Sequence, residues 1–334
     1  MSQVSQALAF ARLIGARCHA GDSSGDVTHN QMEKRTMPTI HIRVAVLFLI
    51  LSLWSSAAAQ ELAQELEVIK VDTTLVAVNI TVTDEKKRHL SDLTIGSFQV
   101  TEQGRPVKIE FFDSKGPASI VFVIDTSASM HGKKWKQLNQ GLKKFLTRAR
   151  EDNDYSLVLF DDQAQLVAES VGPSELQKYL EKPNRNGHTA LYDGVQLGLK
   201  VLGRVPKRHK AMVLLSDGED NRSIATFADI EKTVFTSRVT IYAIGVSVQD
   251  RQLFPHEKKG RENLNQLAQV SGGLAHFPGA HKIRSTLEKI QDDLSNHYTL
   301  GYYAADKTPG WRRIEVRVSQ QHAHLRYQAK YLIR

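Results

Sequence analysis

Three oxygen donors stand close together in Asp125-Thr126-Ser127-Ala128-Ser129, and two more, Thr189 and Asp217, stand in later segments. One carboxylate and two hydroxyls on a short loop are hard ligands. They suit Mg²⁺, Mn²⁺ or Ca²⁺ rather than Zn²⁺ or Cu²⁺. Few protein charges would surround such an ion, so it would stay electrophilic and accept a carboxylate from a partner. The rival reading is local, since Asp and Ser after a strand often only cap the next helix. Thr189, in Asn186-Gly187-His188-Thr189-Ala190-Leu191, and Asp217, in Leu215-Ser216-Asp217-Gly218, weigh against capping alone. Asp220 and Glu219 read as a solvated turn, Asp161-Asp162 as a turn pair, and Asp193 as the start of a helix.

These residues need a frame. Residues 120–124 are apolar at every position and lead straight into Asp125. Such a run suits a strand buried on both faces of a parallel sheet. Open α/β sheets place their ligands just past the carboxyl ends of such strands. Further strand-like runs cover 156–160, 166–168, 211–215, 239–244 and 274–277. Between them, apolar residues recur at helical spacing: Trp135, Leu138, Leu142, Phe145 and Leu146; then Leu191, Val195, Leu199 and Leu202; then Leu264, Leu267 and Val270. Strands alternating with helices predict an α/β domain over 116–296, with a doubly wound, Rossmann-like, mostly parallel sheet. The strands carrying Asp125 and Asp217 are expected to be neighbours.

The flanks read differently. In 66–115, Leu75 to Thr83 alternates with period two, and 98–102 and 107–112 are short strands around a turn at Gln103-Gly104-Arg105-Pro106. Residues 297–334 return to strands at 298–303, 313–318 and 325–333. A few strands of this length do not easily stand alone. The tail is therefore expected to pair with 66–115 as a smaller β-sandwich-like unit, into which the α/β domain is inserted.

With Asp125-x-Ser127-x-Ser129, Thr189-Ala190-Leu191-Tyr192-Asp193 and Ser216-Asp217-Gly218 in this order, the chain resembles the von Willebrand factor A family over about 119–296. The layout also looks like that of an exported bacterial subfamily. The resemblance implies a complete metal-ion-dependent adhesion site. Ser127 and Ser129 would ligate the ion directly, and Thr189 would do so in the ligand-bound form. Asp125 and Asp217 would act through waters or hydrogen bonds, and the sixth position would be left to a partner's Glu or Asp. It further implies coupling of the site to a last helix at about 282–296.

Composition bounds the rest. The chain has 334 residues, 41% hydrophobic and 24% charged, ordinary for a globular protein of roughly two domains. His41 and Arg43, a short apolar core and Ser55-Ser56-Ala57-Ala58-Ala59 read as a secretory signal over 37–59, with 1–36 as an over-extended start. An uncleaved signal anchor is the alternative. The core, about 11 residues long, falls short of the ~20 that span a bilayer. The protein is thus expected to be exported, periplasmic or secreted, with no membrane span once the signal is cut. Cys18, in the leader, is the only cysteine, so no disulfide is expected. Removing the leader lowers the net charge from +8 to +6, a mild excess. No basic-aromatic interleaving points to nucleic acid. Beyond the leader there is no Gly-x-Ser-x-Gly elbow, and the chain has no phosphate-binding Gly-x-x-x-x-Gly-Lys-Ser/Thr loop or His-Glu-x-x-His. His188, beside Thr189, reads as a loop residue rather than a general base. The expected function is metal-dependent capture of an acidic group on a protein or envelope ligand, without catalysis. Envelope assembly and metal-dependent hydrolysis are the alternatives.

Overall fold

The computed structural model describes residues 75–130, 132–180, 187–207, 209–246 and 253–333. The expected leader, 1–59, lies outside the described residues.

The α/β domain is built on β5 (Ala118–Asp125), β6 (Asp154–Phe160), β7 (Ala164–Val171), β8 (His209–Ser216), β9 (Thr240–Gly245) and β10 (Ala275–His276). They lie in the order β10-β9-β8-β5-β6-β7. All neighbours are parallel except β7, which runs antiparallel on the edge beside β6. Among the described residues six α-helices accompany them: α1 (Lys133–Thr147), the short α2 (Pro173–Leu176), α3 (Leu191–Arg204), α4 (Phe227–Ser237), α5 (Pro255–Val270) and α6 (Ile283–Ser295). Every residue of β5 is buried. Ile120, Phe122 and Ile124 pack with Leu138, Leu142, Leu287 and Ile290 of α1 and α6. Val121 and Val123 pack on the other face with Val195 and Leu199 of α3, Ile230 of α4 and Leu264 of α5. This two-sided burial is why the β5 sequence is apolar without alternation.

The flanking strands are β1 (Leu75–Thr83), β2 (Phe98–Glu102), β3 (Arg105–Val107), β4 (Phe111–Ser114), β11 (Tyr298–Tyr303), β12 (Gly310–Val318), β13 (His324–Arg326) and β14 (Lys330–Ile333). They form two antiparallel sheets, β13-β1-β11-β4 and β14-β12-β2-β3. Val76, Val78, Ile80, Phe98, Leu300, Tyr302, Ile314 and Tyr331 share one core between them. Within it Glu102 accepts hydrogen bonds from the hydroxyls of Tyr302 (2.7 Å) and Tyr331 (2.6 Å).

Four details differ from the sequence expectation. The run 107–112 is two strands in two sheets, β3 beside β2 and β4 beside β11. Arg105 and Pro106 belong to β3, so the turn is Gln103-Gly104 alone, both with positive φ (51° and 77°). The run 325–333 likewise divides, with β13 on β1 and β14 on β12. Each run passes from the edge strand of one sheet to an edge strand of the other. The helix α4 has no counterpart in the expected pattern, since only Ile230 and Val234 of it are buried.

Candidate metal centre

Asp125 is the last residue of β5 and is fully buried (0% exposed). Its neighbours β6 and β8 bring loops to the same sheet edge. The loop after Asp125 is anchored to β6, where the Thr126 amide and hydroxyl both donate to the Phe160 carbonyl, at 2.8 and 3.0 Å. It then turns tightly, the Met130 amide donating to the Ser127 carbonyl at 3.0 Å, with the Met130 side chain buried. This turn sets the Ser127 and Ser129 hydroxyls 3.2 Å apart. The Ser127 amide donates to Asp125 Oδ1 at 2.9 Å. From β8, the Ser216 hydroxyl donates to Asp125 Oδ2 at 2.8 Å and accepts from the Gly218 amide at 3.0 Å. Both Asp125 oxygens are therefore fixed, one from each of two segments.

Asp217 lies one residue past β8 rather than within it. Burial, and then the charge of Asp217, push the Asp125 carboxyl up to about 7. Lys134 Nζ stands 4.0 Å from Asp217 Oδ2. Thr189 is buried, and its backbone is stitched to the loop after Asp217. Its amide donates to Asn221 Oδ1 at 2.8 Å, and its carbonyl accepts from the amides of Asn221 (3.0 Å) and Arg222 (3.2 Å). On the other side the His188 amide donates to Asp162 Oδ1 at 2.9 Å, and the Ala190 amide to the Asp161 carbonyl at 2.7 Å. The structure thus joins Asp125, Ser127 and Ser129 by direct hydrogen bonds and couples Asp217 to Asp125 through charge. Thr189 is tied by its backbone to Asn221 and Arg222, on the loop that follows Asp217.

Ser216 does not stand out in the sequence, and the acidic residues near the site have more specific contacts than turn positions imply. Ser216 faces Asp125 one step beyond the pair Ile124↔Leu215, a register that only the sheet defines. Asp162 is more than a turn residue, because it holds the Thr189 loop. Asp193, in the first turn of α3, accepts from the amides of Ile224 (3.0 Å) and Ala225 (2.9 Å). Asp220 accepts from the Ser223 hydroxyl at 2.5 Å and from the Tyr192 amide at 3.3 Å. Glu219 pairs with His256 at 3.1 Å.

A cation fits the donor set on two counts. Two carboxylates share a mostly buried edge with one lysine near them, which is a like-charge arrangement that a dication relieves. The remaining donors are hydroxyls, which suits a hard ion. Among the described residues no cluster of three or more His, Cys, Asp or Glu is placed to hold a metal.

A doubly wound α/β domain with polar loops gathered at the carboxyl ends of its central strands defines a ligand-binding architecture. Residues 119–294 match the von Willebrand factor type A domain model, and the chain belongs to that family. Similar curated proteins include inter-alpha-trypsin inhibitor heavy chain H3 of Bos taurus, 28% identical over 34% of this chain and 15% of that protein. Heavy chain H1 of Sus scrofa is 27% identical over 52% of this chain and 21% of that protein. The chain therefore spans a small fraction of the length of these relatives. Among solved structures, a von Willebrand factor type A protein from Catenulispora acidiphila aligns over 79% of this chain and 74% of that chain, with 12% identity and TM-score 0.45. Proximal thread matrix protein 1 from the mussel byssus, with a zinc-occupied MIDAS motif, aligns over 57% and 49%, with 20% identity and TM-score 0.47. Among the described residues no helix is long and apolar enough to cross a membrane.

Proposed function

We propose that this chain is an exported, non-enzymatic binding module that captures an acidic side chain of a protein or envelope ligand through a divalent cation. Mg²⁺ is the favoured ion, with Mn²⁺ or Ca²⁺ as substitutes. The observation that carries the reading is the convergence at Asp125, whose two oxygens are held by the Ser127 amide and by Ser216 of β8 while Asp217 adds a second negative charge beside it. Ser127, Ser129 and Thr189 would hold the ion directly, with Asp125 and Asp217 behind them. When bound, the ion supplies an open coordination position for a partner's carboxylate. Asp125 orients the Ser127 loop, and Asn221 and Asp162 set the height of Thr189. Lys134 partly offsets the charge of Asp217 at the rim. Family membership supports a binding role, and the hydroxyl-rich donors support a hard ion.

Calorimetric titration with Mg²⁺ and Mn²⁺ tests the first half. The native chain is expected to bind one ion. A ligand at about 100 times its Kd raises stability by about 2.7 kcal/mol, and this gain should vanish in Ser127→Ala/Ser129→Ala with the fold intact by circular dichroism. Pull-down from envelope extract with Mg²⁺ or chelator tests the second half. Capture that survives both chelator and the double substitution would refute the mechanism. One dominant co-purifying envelope complex would point to assembly rather than adhesion.

A further inference from the structure

The outward face of the sheet β14-β12-β2-β3 carries side chains that the metal edge does not use. β12 alternates, burying Arg312, Ile314 and Val316 and exposing Trp311, Arg313, Glu315 and Arg317. Trp311 is 50% exposed, yet its ring is braced. Phe235 of α4 meets it nearly perpendicular, with centroids 4.8 Å apart. Gln103, on the turn between β2 and β3, donates to the Trp311 carbonyl at 3.3 Å and accepts from the Arg313 amide at 3.2 Å. Arg313 stands directly opposite Lys330 of β14. Both are exposed. Arg312 and Arg317 are neutralised by Asp306 and Glu315. Among the described residues no acidic side chain does the same for Arg313 or Lys330. Like charges facing one another across strands are destabilising, so this pair calls for an anion between its members. Gln103, Phe235, Trp311, Arg313, Glu315 and Lys330 line one cleft of about 920 Å³, within the roughly 300–1,000 Å³ of small-ligand sites.

We propose that this cleft binds an acidic oligosaccharide, with a sugar ring stacked on Trp311 and its carboxylate held between Arg313 and Lys330. The aromatic platform offers an apolar face to the C–H side of a sugar, and Arg313 offers a planar fork to a carboxylate. Glu315 decides between polyanions. Arg317 donates twice to its Oε1, at 3.0 and 2.8 Å, and the carboxylate retains a second oxygen to accept sugar hydroxyls. A DNA phosphodiester backbone bears charge with no hydroxyl to donate, so it would meet Glu315 only with repulsion. A uronate chain also carries a charge on each unit, but its ring hydroxyls can donate to the second oxygen of Glu315.

The chain has three tryptophans, Trp54, Trp135 and Trp311. Trp135 is buried, so Trp311 serves as a built-in fluorescent reporter. The full chain is titrated with oligogalacturonate, with a neutral cello-oligosaccharide, polyglutamate and a single-stranded oligonucleotide as comparisons. A saturable emission change with the uronate is expected, absent in Trp311→Phe. Affinity should fall at least about tenfold in Arg313→Ala/Lys330→Ala, on loss of the charge-assisted bonds. Binding should persist in chelator and in Ser127→Ala/Ser129→Ala. No saturable change, or an equal response to polyglutamate or the oligonucleotide, would overturn the proposal. Loss of uronate binding in chelator would also overturn it, by moving the carboxylate to the metal edge.

Discussion

Acidification is expected to weaken the joint where α6 enters β11, through His297. The His297 ring stacks on His209, at the start of β8, with centroids 3.4 Å apart and planes 28° from parallel. Both are buried, at 3% and 4% exposure. His297 Nδ1 lies 2.8 Å from the Leu294 carbonyl, so it donates there, and the buried His209 Nδ1 has no hydrogen-bond partner. Burial pushes the His297 imidazole from 6.5 down to about 4, against the opposing pull of the Leu294 carbonyl, Asp113 and Asp293. Arg150 adds to the depression. A base whose folded value lies below its unfolded value contributes stability that is complete above the unfolded value. That stability drains away as pH falls toward the folded value. At about 1.4 kcal/mol per tenfold, the loss reaches about 3 kcal/mol at the bottom of this range and about 2 kcal/mol by about pH 5. His209, pushed well below its ordinary value by burial and by His297, adds a loss of the same sign. Asp125 titrates with the opposite sign over some of the window, because its carboxyl is raised. The quantity to read is therefore a difference. Urea unfolding of the native chain and of His297→Phe, at about pH 7 and about pH 5, should show about 2 kcal/mol more loss in the native chain. Parallel pH profiles for the two would refute the reasoning, and would mean that the stacked pair is solvated or already charged.

Three further substitutions probe how the metal edge and the β-unit are held. A Cβ on Gly260 of α5 would sit 2.5 Å from the Gly218 carbonyl oxygen, so Gly260→Ala should cost about 1–3 kcal/mol in urea unfolding and weaken Mg²⁺ binding in calorimetry. Glu102→Ala leaves the hydroxyls of Tyr302 and Tyr331 without their acceptor. The expected cost, about 1–3 kcal/mol for each, is read as a lowered unfolding midpoint with Mg²⁺ affinity unchanged. Asp193→Ala removes the acceptor for the Ile224 and Ala225 amides, and hydrogen exchange at those two amides should accelerate while that of β8 stays slow.

The central sheet was legible because its cause is local. A strand buried on both faces must be apolar throughout, and 120–124 and 211–215 are. Asp125, Ser127 and Ser129 were legible for a similar reason, since a single tight turn gathers them. Ser216 and Asn221 were not, because their roles depend on which strand lies beside β5 and on how two loops meet. The sheet changes at 107–112 and 325–333 were also hidden. Apolar residues recur at every second position through most of each run, at 107, 109 and 111 and at 325, 327, 329, 331 and 333, and this spacing does not record which neighbour supplies the hydrogen bonds. Helix α4 is covered by other elements on only a narrow strip, so its sequence lacks a wide apolar stripe.

The strands β4 and β11 leave the β-unit side by side, paired from Tyr298↔Ser114 to Gly301↔Phe111, with the Lys115 amide donating to the His297 carbonyl just beyond. The α/β domain is thus a closed loop on a two-stranded antiparallel stem, and a pull on the domain divides between both strands. The pair β1–β11, in register from Leu75↔Tyr303 to Ile80↔Tyr298, would then be pulled lengthwise. Its hydrogen bonds would then be loaded in shear, slipping together rather than breaking singly.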